Sequence, residues 1–185
     1  MDKPDAVQKA PSDWSHDGKY LIYSESGAIW YVPCESGKPG SRGTRVADGY
    51  GGQLSPDGKW LAYSAGLGRL QIRPFPTGES VWQVPADNAS QPRWHSNGKE
   101  LYFISGAILG RAALMAAPIE PDGHGGVQTR APHRLFDVRV NQWAPQMNAF
   151  SYSPSPDGQR FLVNQRVEVG EPAVTIITKW QKAAR

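Results

Sequence analysis

Cysteine is nearly absent: Cys34 stands alone among 185 residues, which excludes an internal disulfide. Long apolar runs are lacking too. None approaches the roughly 18 residues of a membrane span, and Met1 to Ala10 is polar, without the apolar core of a signal peptide. The expectation is a chain with no membrane segment, cytoplasmic by default. Charge of one sign is also missing. Lys and Arg number 20 against 17 Asp and Glu, for a net charge of +3, and only the tail Lys179, Lys182, Arg185 is locally basic. Without a basic stripe interleaved with aromatics, or a recognition-helix pattern, nucleic-acid binding is not expected.

Catalytic signatures are lacking as well. There is no Gly-x-Ser-x-Gly nucleophile elbow, no glycine-rich phosphate loop, no His-Arg-Asp and no Asp-Phe-Gly. Ser36-Gly37-Lys38 resembles the end of a phosphate loop but lacks its upstream glycine. His16, His95, His124 and His133 have no zinc-ligand spacing and no cysteine cluster beside them. Cys34 follows Pro33 with no identifiable base and reads as inert. No catalytic residue, metal site or cofactor is expected.

What is abundant points elsewhere. Gly (20) and Pro (16) signal many turns, and seven Trp and seven Tyr with short Val and Ile runs favour strands. One turn recurs: Trp14-Ser15-His16-Asp17-Gly18-Lys19, Leu54-Ser55-Pro56-Asp57-Gly58-Lys59, Trp94-His95-Ser96-Asn97-Gly98-Lys99 and Ser155-Pro156-Asp157-Gly158-Gln159. Its anchors Asp17, Asp57, Asn97 and Asp157 lie 40, 40 and 60 residues apart, the per-blade period of a propeller with one insertion. Asp or Asn bonds its own backbone in such a turn, and Gly takes the left-handed conformation. The anchors therefore read as turn architecture rather than calcium ligands, one carboxylate per turn being too few. On the same grounds Gly58 is expected to need a positive φ and Gly37 is not.

After each turn an alternating strand follows, with Leu21 and Tyr23, Leu61 and Tyr63, Leu101 and Phe103, and Phe161 and Val163 on one face. Third strands read at Ala28 to Val32, Leu70 to Arg73, Leu114 to Ile119 and Val174 to Trp180. Outer strands read at Thr44 to Ala47, Val81 to Val84 and Arg134 to Val138, with none in the last unit. The fold class is all-β: a β-propeller of four WD-like, nominally four-stranded blades, over about 11–49, 50–88, 89–139 and 147–182. Residues 1–10 form an N-terminal extension, and Ile104 to Ala113, Glu120 to Pro132 and Arg139 to Asn148 are long connections.

These turns and strands resemble the TolB-like, WD-repeat-like propellers of bacteria; Ser55 to Tyr63 carries the repeat most fully. Arg73-Pro74-Phe75-Pro76, Trp82-Gln83-Val84, Ser90-Gln91-Pro92-Arg93-Trp94, Asp157 to Asn164 and Thr175 to Trp180 resemble the C-terminal propeller of multidomain bacterial serine/threonine protein kinases. The resemblance implies a part of a larger or oligomer-completed propeller, since such relatives usually have six or more blades. Open end faces exposing Tyr20, Ile22, Leu162 and Ile176 are then expected, with self-association or a homo-dimer completing the ring. It further implies a non-enzymatic module that binds a protein or peptide. The alternatives are a sensor or regulatory part of such a kinase, or the propeller of a prolyl-oligopeptidase-like enzyme. Propeller ligands dock where inter-blade loops gather, and there the sequence offers Tyr50, Arg69, Asn88, Gln91, Arg111, Trp143 and Met147 as partner-binding candidates.

Overall fold

The structure, a computed structural model, describes residues 8–108, 111–140, 150–165 and 174–178. Its joints are the four recurrent turns. In the first, Ser15 Oγ donates to Asp17 Oδ1 (2.8 Å) and accepts from Tyr20 N (2.8 Å), while Asp17 Oδ1 also accepts from Lys19 N (3.1 Å) and Gly18 N closes on Ser15 O (2.9 Å). The set repeats at Ser55, Asp57 and Gly58 and at Ser155, Asp157 and Gly158. In the third turn His95 Nδ1, in place of the serine hydroxyl, accepts from Asn97 N (3.1 Å). Gly18, Gly58, Gly98 and Gly158 have φ between 65° and 74°, the conformation a β-carbon opposes.

Each turn joins two antiparallel strands, and four sheets follow in chain order. The first holds β1 (Lys9–Trp14), β2 (Tyr20–Glu25), β3 (Ala28–Glu35) and β5 (Thr44–Asp48), with a two-residue ribbon β4 (Lys38–Pro39) on the far end of β3. The second holds β6 (Tyr50–Leu54), β7 (Trp60–Ala65), β8 (Arg69–Pro74) and β9 (Trp82–Gln83). The third holds β10 (Ser90–Trp94), β11 (Glu100–Ile108), β12 (Arg111–Pro121), the ribbon β13 (Val127–Thr129) and β14 (His133–Arg139). In the fourth, β15 (Tyr152–Pro154), β16 (Arg160–Asn164) and β17 (Val174–Thr178) are described. No helix occurs among the described residues, so none is long and apolar enough to cross a membrane. The chain is an all-β propeller.

Three boundaries differ from expectation. Ile104 to Ala113 is not a long connection, because β11 and β12 run on to pair Ile108 with Arg111. The stretch from Glu120 folds back through β13, which pairs with the end of β12. Lys9 and Ala10 already belong to β1, pairing with Glu25 and Ser24, so the first blade starts before residue 11.

The core lies between sheets. Ile22 packs with Leu61, Tyr63 and Phe75; Ala62 packs with Leu101, Phe103 and Trp94; Tyr102 packs with Phe161, Val163 and Phe136. The residue five past each anchor therefore faces the next blade, and those four and six past face the previous one. This corrects the expected open face: Ile22 is fully buried and Tyr20 sits in the first seam, edge-on to Tyr31 and Phe75. Ile176 has no described side chain. Leu162, by contrast, is 47% exposed.

Polar clasps join the seams at the inner strands. A bulge in β6 puts Gly51 at φ 63°, and its N–H donates to Ser24 Oγ of the preceding blade (3.3 Å). Forty residues on, Gln91 occupies the same bulge at φ 58° and donates its N–H to Ser64 Oγ (3.2 Å). Trp94 Nε1 donates to Gln53 O (3.1 Å) and Arg93 Nη1 to Gln53 Oε1 (2.8 Å), from blade three to blade two. Asp13 Oδ2 accepts from Leu54 N (2.7 Å) across the first seam. Burial pushes the Asp13 carboxyl up and the Arg93 guanidinium down from their ordinary values. Arg73 bridges blades by donating to Val46 O, and donates also to Gly78 O in its own blade. Residues that carried the kinase-propeller resemblance, Arg73, Phe75, Gln91, Arg93 and Trp94, are thus seam residues.

Gly37 departs from expectation. Ser36 and Gly37 have φ of 50° and 75°, forming a two-residue hairpin turn of the kind strand twist favours, so Ser36-Gly37-Lys38 closes the β3–β4 ribbon. Cys34, beside it, is buried and unpaired to any other cysteine.

Candidate recognition face

The strands alternate in direction, so the loops from β5 to β6, β7 to β8, β9 to β10 and β11 to β12 emerge at the end opposite the Asp-Gly turns. There they are stitched together. Gly49 N donates to Gly27 O (2.9 Å), Ala89 N to Gly68 O (2.7 Å), Gly106 N to Asn88 O (3.3 Å) and Ser105 Oγ to Asp87 O (2.7 Å). These bonds tie the β5–β6 loop to the β2–β3 turn, and the β9–β10 loop to both the β7–β8 and β11–β12 loops.

Four candidates come together on it. Tyr50 opens β6 opposite Ser64, Arg69 opens β8 opposite Ala65, and Asn88 lies against Gly68, so all three gather at one end of blade two. Arg111 opens β12 at the same end of blade three. Tyr50, Arg69, Asn88 and Arg111 are all exposed. Gly68 is tightly constrained, since a β-carbon there would fall 2.7 Å from Asn88 Cα.

Gln91 sits elsewhere: it is buried. Its amide accepts from Ser151 N (2.6 Å) and donates to Ser151 Oγ (3.3 Å), while its carbonyl accepts from Tyr152 Oη (2.9 Å). These bonds hold blade four to blade three and withdraw Gln91 from the surface. Trp143 and Met147 lie outside the described residues. Sequence reasoning missed Leu67, which is 91% exposed at φ 63° between Gly66 and Gly68. A leucine flanked by two glycines at a loop tip was the available signal.

No group of three or more His, Cys, Asp or Glu side chains that could hold a metal occurs among the described residues. What the face offers is an aromatic hydroxyl, an apolar tip, two guanidiniums and an amide.

Comparison with known proteins agrees with the β-propeller architecture. No protein-family model matches the chain and no curated protein matches it. Among solved structures it is similar to TolB from Acinetobacter baumannii, with a TM-score of 0.62 and 20% identity over 93% of this chain and 41% of that one. It is also similar to the β-propeller domain of Cps50 (Swd1) from Myceliophteria thermophila, with TM-score 0.51, 16% identity and 82% and 47% coverage. A third is a Bacteroides uniformis protein assigned as a 6-phosphogluconolactonase, with TM-score 0.54, 15% identity and 96% and 58% coverage. Across these three the chain spans 41% to 58% of the matched length. At such identities the fold is what is shared, and it is TolB-like.

Proposed function

We propose that this chain is a recognition module that binds a protein or peptide, without catalysis, through the loop face of blade two. The observation that carries the reading is that exposed Tyr50, Leu67, Arg69 and Asn88 lie at one end of blade two, where the β7–β8 and β9–β10 loops are bonded to each other. Tyr and Arg are common anchors of binding hot spots, and a surface already tied by backbone hydrogen bonds loses little order on binding. The TolB-like fold is compatible with this role. The neighbour assigned as a lactonase raises an enzymatic reading, for which the described residues offer no assembled catalytic group. The kinase-sensor reading rests on sequence resemblance alone, and the residues that carry it serve the seams.

The test is selection of displayed peptides on the immobilised chain, followed by calorimetry. Selected peptides should lose roughly tenfold or more in affinity in Tyr50→Ala or Arg69→Ala, about 1.4 kcal/mol or more. Undiminished binding in both variants, or turnover of a lactone, ester or peptide that one point substitution abolishes, would overturn the proposal.

A further inference from the structure

Trp94 shows how one blade seats on the blade before it. It is buried in the cluster that holds Ala62 of blade two, and its Nε1 donates to Gln53 O (3.1 Å). Counted from the turn residues Asp57 and Asp157, the counterparts of Gln53, Leu54 and Ala62 in blade four are Ser153, Pro154 and Leu162. These three line a hollow of about 320 Å³. Ser153 pairs with Leu162 in the β15–β16 ladder as Gln53 pairs with Ala62 between β6 and β7, so the hollow lies where the Trp94 indole lies on blade two. Among the described residues no tryptophan takes that place, and Leu162 is 47% exposed where Ala62 is fully buried.

The matching side chain is on blade one. Trp14 stands three residues before Asp17, as Trp94 stands three before Asn97. It is 45% exposed, against 8% for Trp94. Its Nε1 does not cross a seam but turns back to donate to Gly18 O of its own turn (3.2 Å). An indole brings a large apolar area and one N–H that seeks a partner when buried, and blade four offers both an apolar wall and the carbonyl.

We propose that the hollow on blade four receives Trp14 of a second copy of this chain, head to tail, with the indole against Leu162 and Nε1 donating to Ser153 O. The contact continues the series of seams already formed within the chain, with the same aromatic knob and the same acceptor position. A tryptophan seated in a pocket is a common centre of a protein interface. The two copies contribute different surfaces, so the contact is heterologous. It does not rest on the peptide reading, whose residues lie at the loop end of blade two.

The experiment is sedimentation equilibrium of the whole chain over a wide concentration range, with Trp14→Ala, Leu162→Asp and an equimolar mixture of the two. Each variant alone lacks one half of the contact and should associate at least tenfold more weakly than the parent. The mixture keeps one intact pairing, Trp14 of the Leu162→Asp chain with the hollow of the Trp14→Ala chain, and should form a one-to-one complex and no larger species. A strictly monomeric parent, association undiminished in Trp14→Ala, or a mixture that associates no better than its components would overturn the proposal. Should a variant misfold, the Trp14 Nε1–Hε1 NMR signal of the parent decides: it should move with concentration, and an unmoved signal would overturn the proposal.

Discussion

On the first face of blade one, Tyr23 is buried although no other blade among the described residues lies against it. Its ring stacks near Trp30 at 6.5 Å, Lys9 stands over it at 5.3 Å, and Gly43 comes so close to its hydroxyl that a β-carbon there would collide. On the far face of blade four, Leu162 is 47% exposed, while its counterparts Ile22, Ala62 and Tyr102 are at most 2% exposed. An apolar-lined hollow of about 320 Å³, bounded by Pro154, Phe161 and Leu162, lies beside it. One end face is capped by its own blade; the other keeps the composition of a seam with no neighbouring blade among the described residues. The same repeat position is therefore core or surface according to what stands opposite.

The sharpest way to break this contrast is truncation at both ends. Tyr23→Ala removes a buried aromatic and should cost about 3 kcal/mol or more, whereas Leu162→Ala should stay within about 0.5 kcal/mol. Chemical denaturation measures both, and equal losses would mean the ends are finished alike. The open face also carries the expectation of self-association with a second copy. Sedimentation should then show concentration-dependent assembly that Leu162→Asp weakens, and a strictly monomeric parent would refute it.

Next in size is the last seam. Gln91→Ala leaves the Ser151 N–H without its acceptor in a buried place and should cost about 1–3 kcal/mol. The first seam uses Gly51 at the same bulge and needs no side chain there, so this variant measures what blade four draws from its clasp. A loss below 0.5 kcal/mol, roughly the noise of such measurements, would show the clasp to be idle.

Smaller still is the turn comparison. Gly58→Val and Gly37→Val both force a β-branched residue to positive φ and should each destabilise by roughly 1–2 kcal/mol. Similar melting shifts are expected, and a shift confined to Gly58 would argue that the Ser36-Gly37 turn relaxes.

The smallest effect concerns acid, where the end blades should behave alike. Hydrogen bonds from Ser15 and then Lys19 N hold the Asp17 carboxyl down to about 2 from its ordinary 3.8; Ser155 and Gln159 N lower Asp157 in the same way. A lowered native pKa contributes stability above the ordinary value, which is lost as pH falls from there toward 2. Carbon-detected titration of Asp17 should show a midpoint near 2; a midpoint at the ordinary value would break the shared-turn description.

The Asp-Gly turns and the alternating strands after them were legible in the residues because turn chemistry and strand alternation act within a few positions. That reach also explains Gly37: Ser36-Gly37 was a readable turn once its phosphate-loop resemblance was set aside. The placement of Tyr50, Arg69, Asn88 and Arg111 at the loop ends followed from counting strands. The fate of Gln91 did not, since only blade four, with Ser151 sixty residues away, turns an apparent loop amide into a buried clasp. Nor did the burial of Ile22, which depends on the blade that packs across from it. Local sequence sets which conformations a segment prefers; burial depends on what packs across from it, and that was decided by the assembled blades.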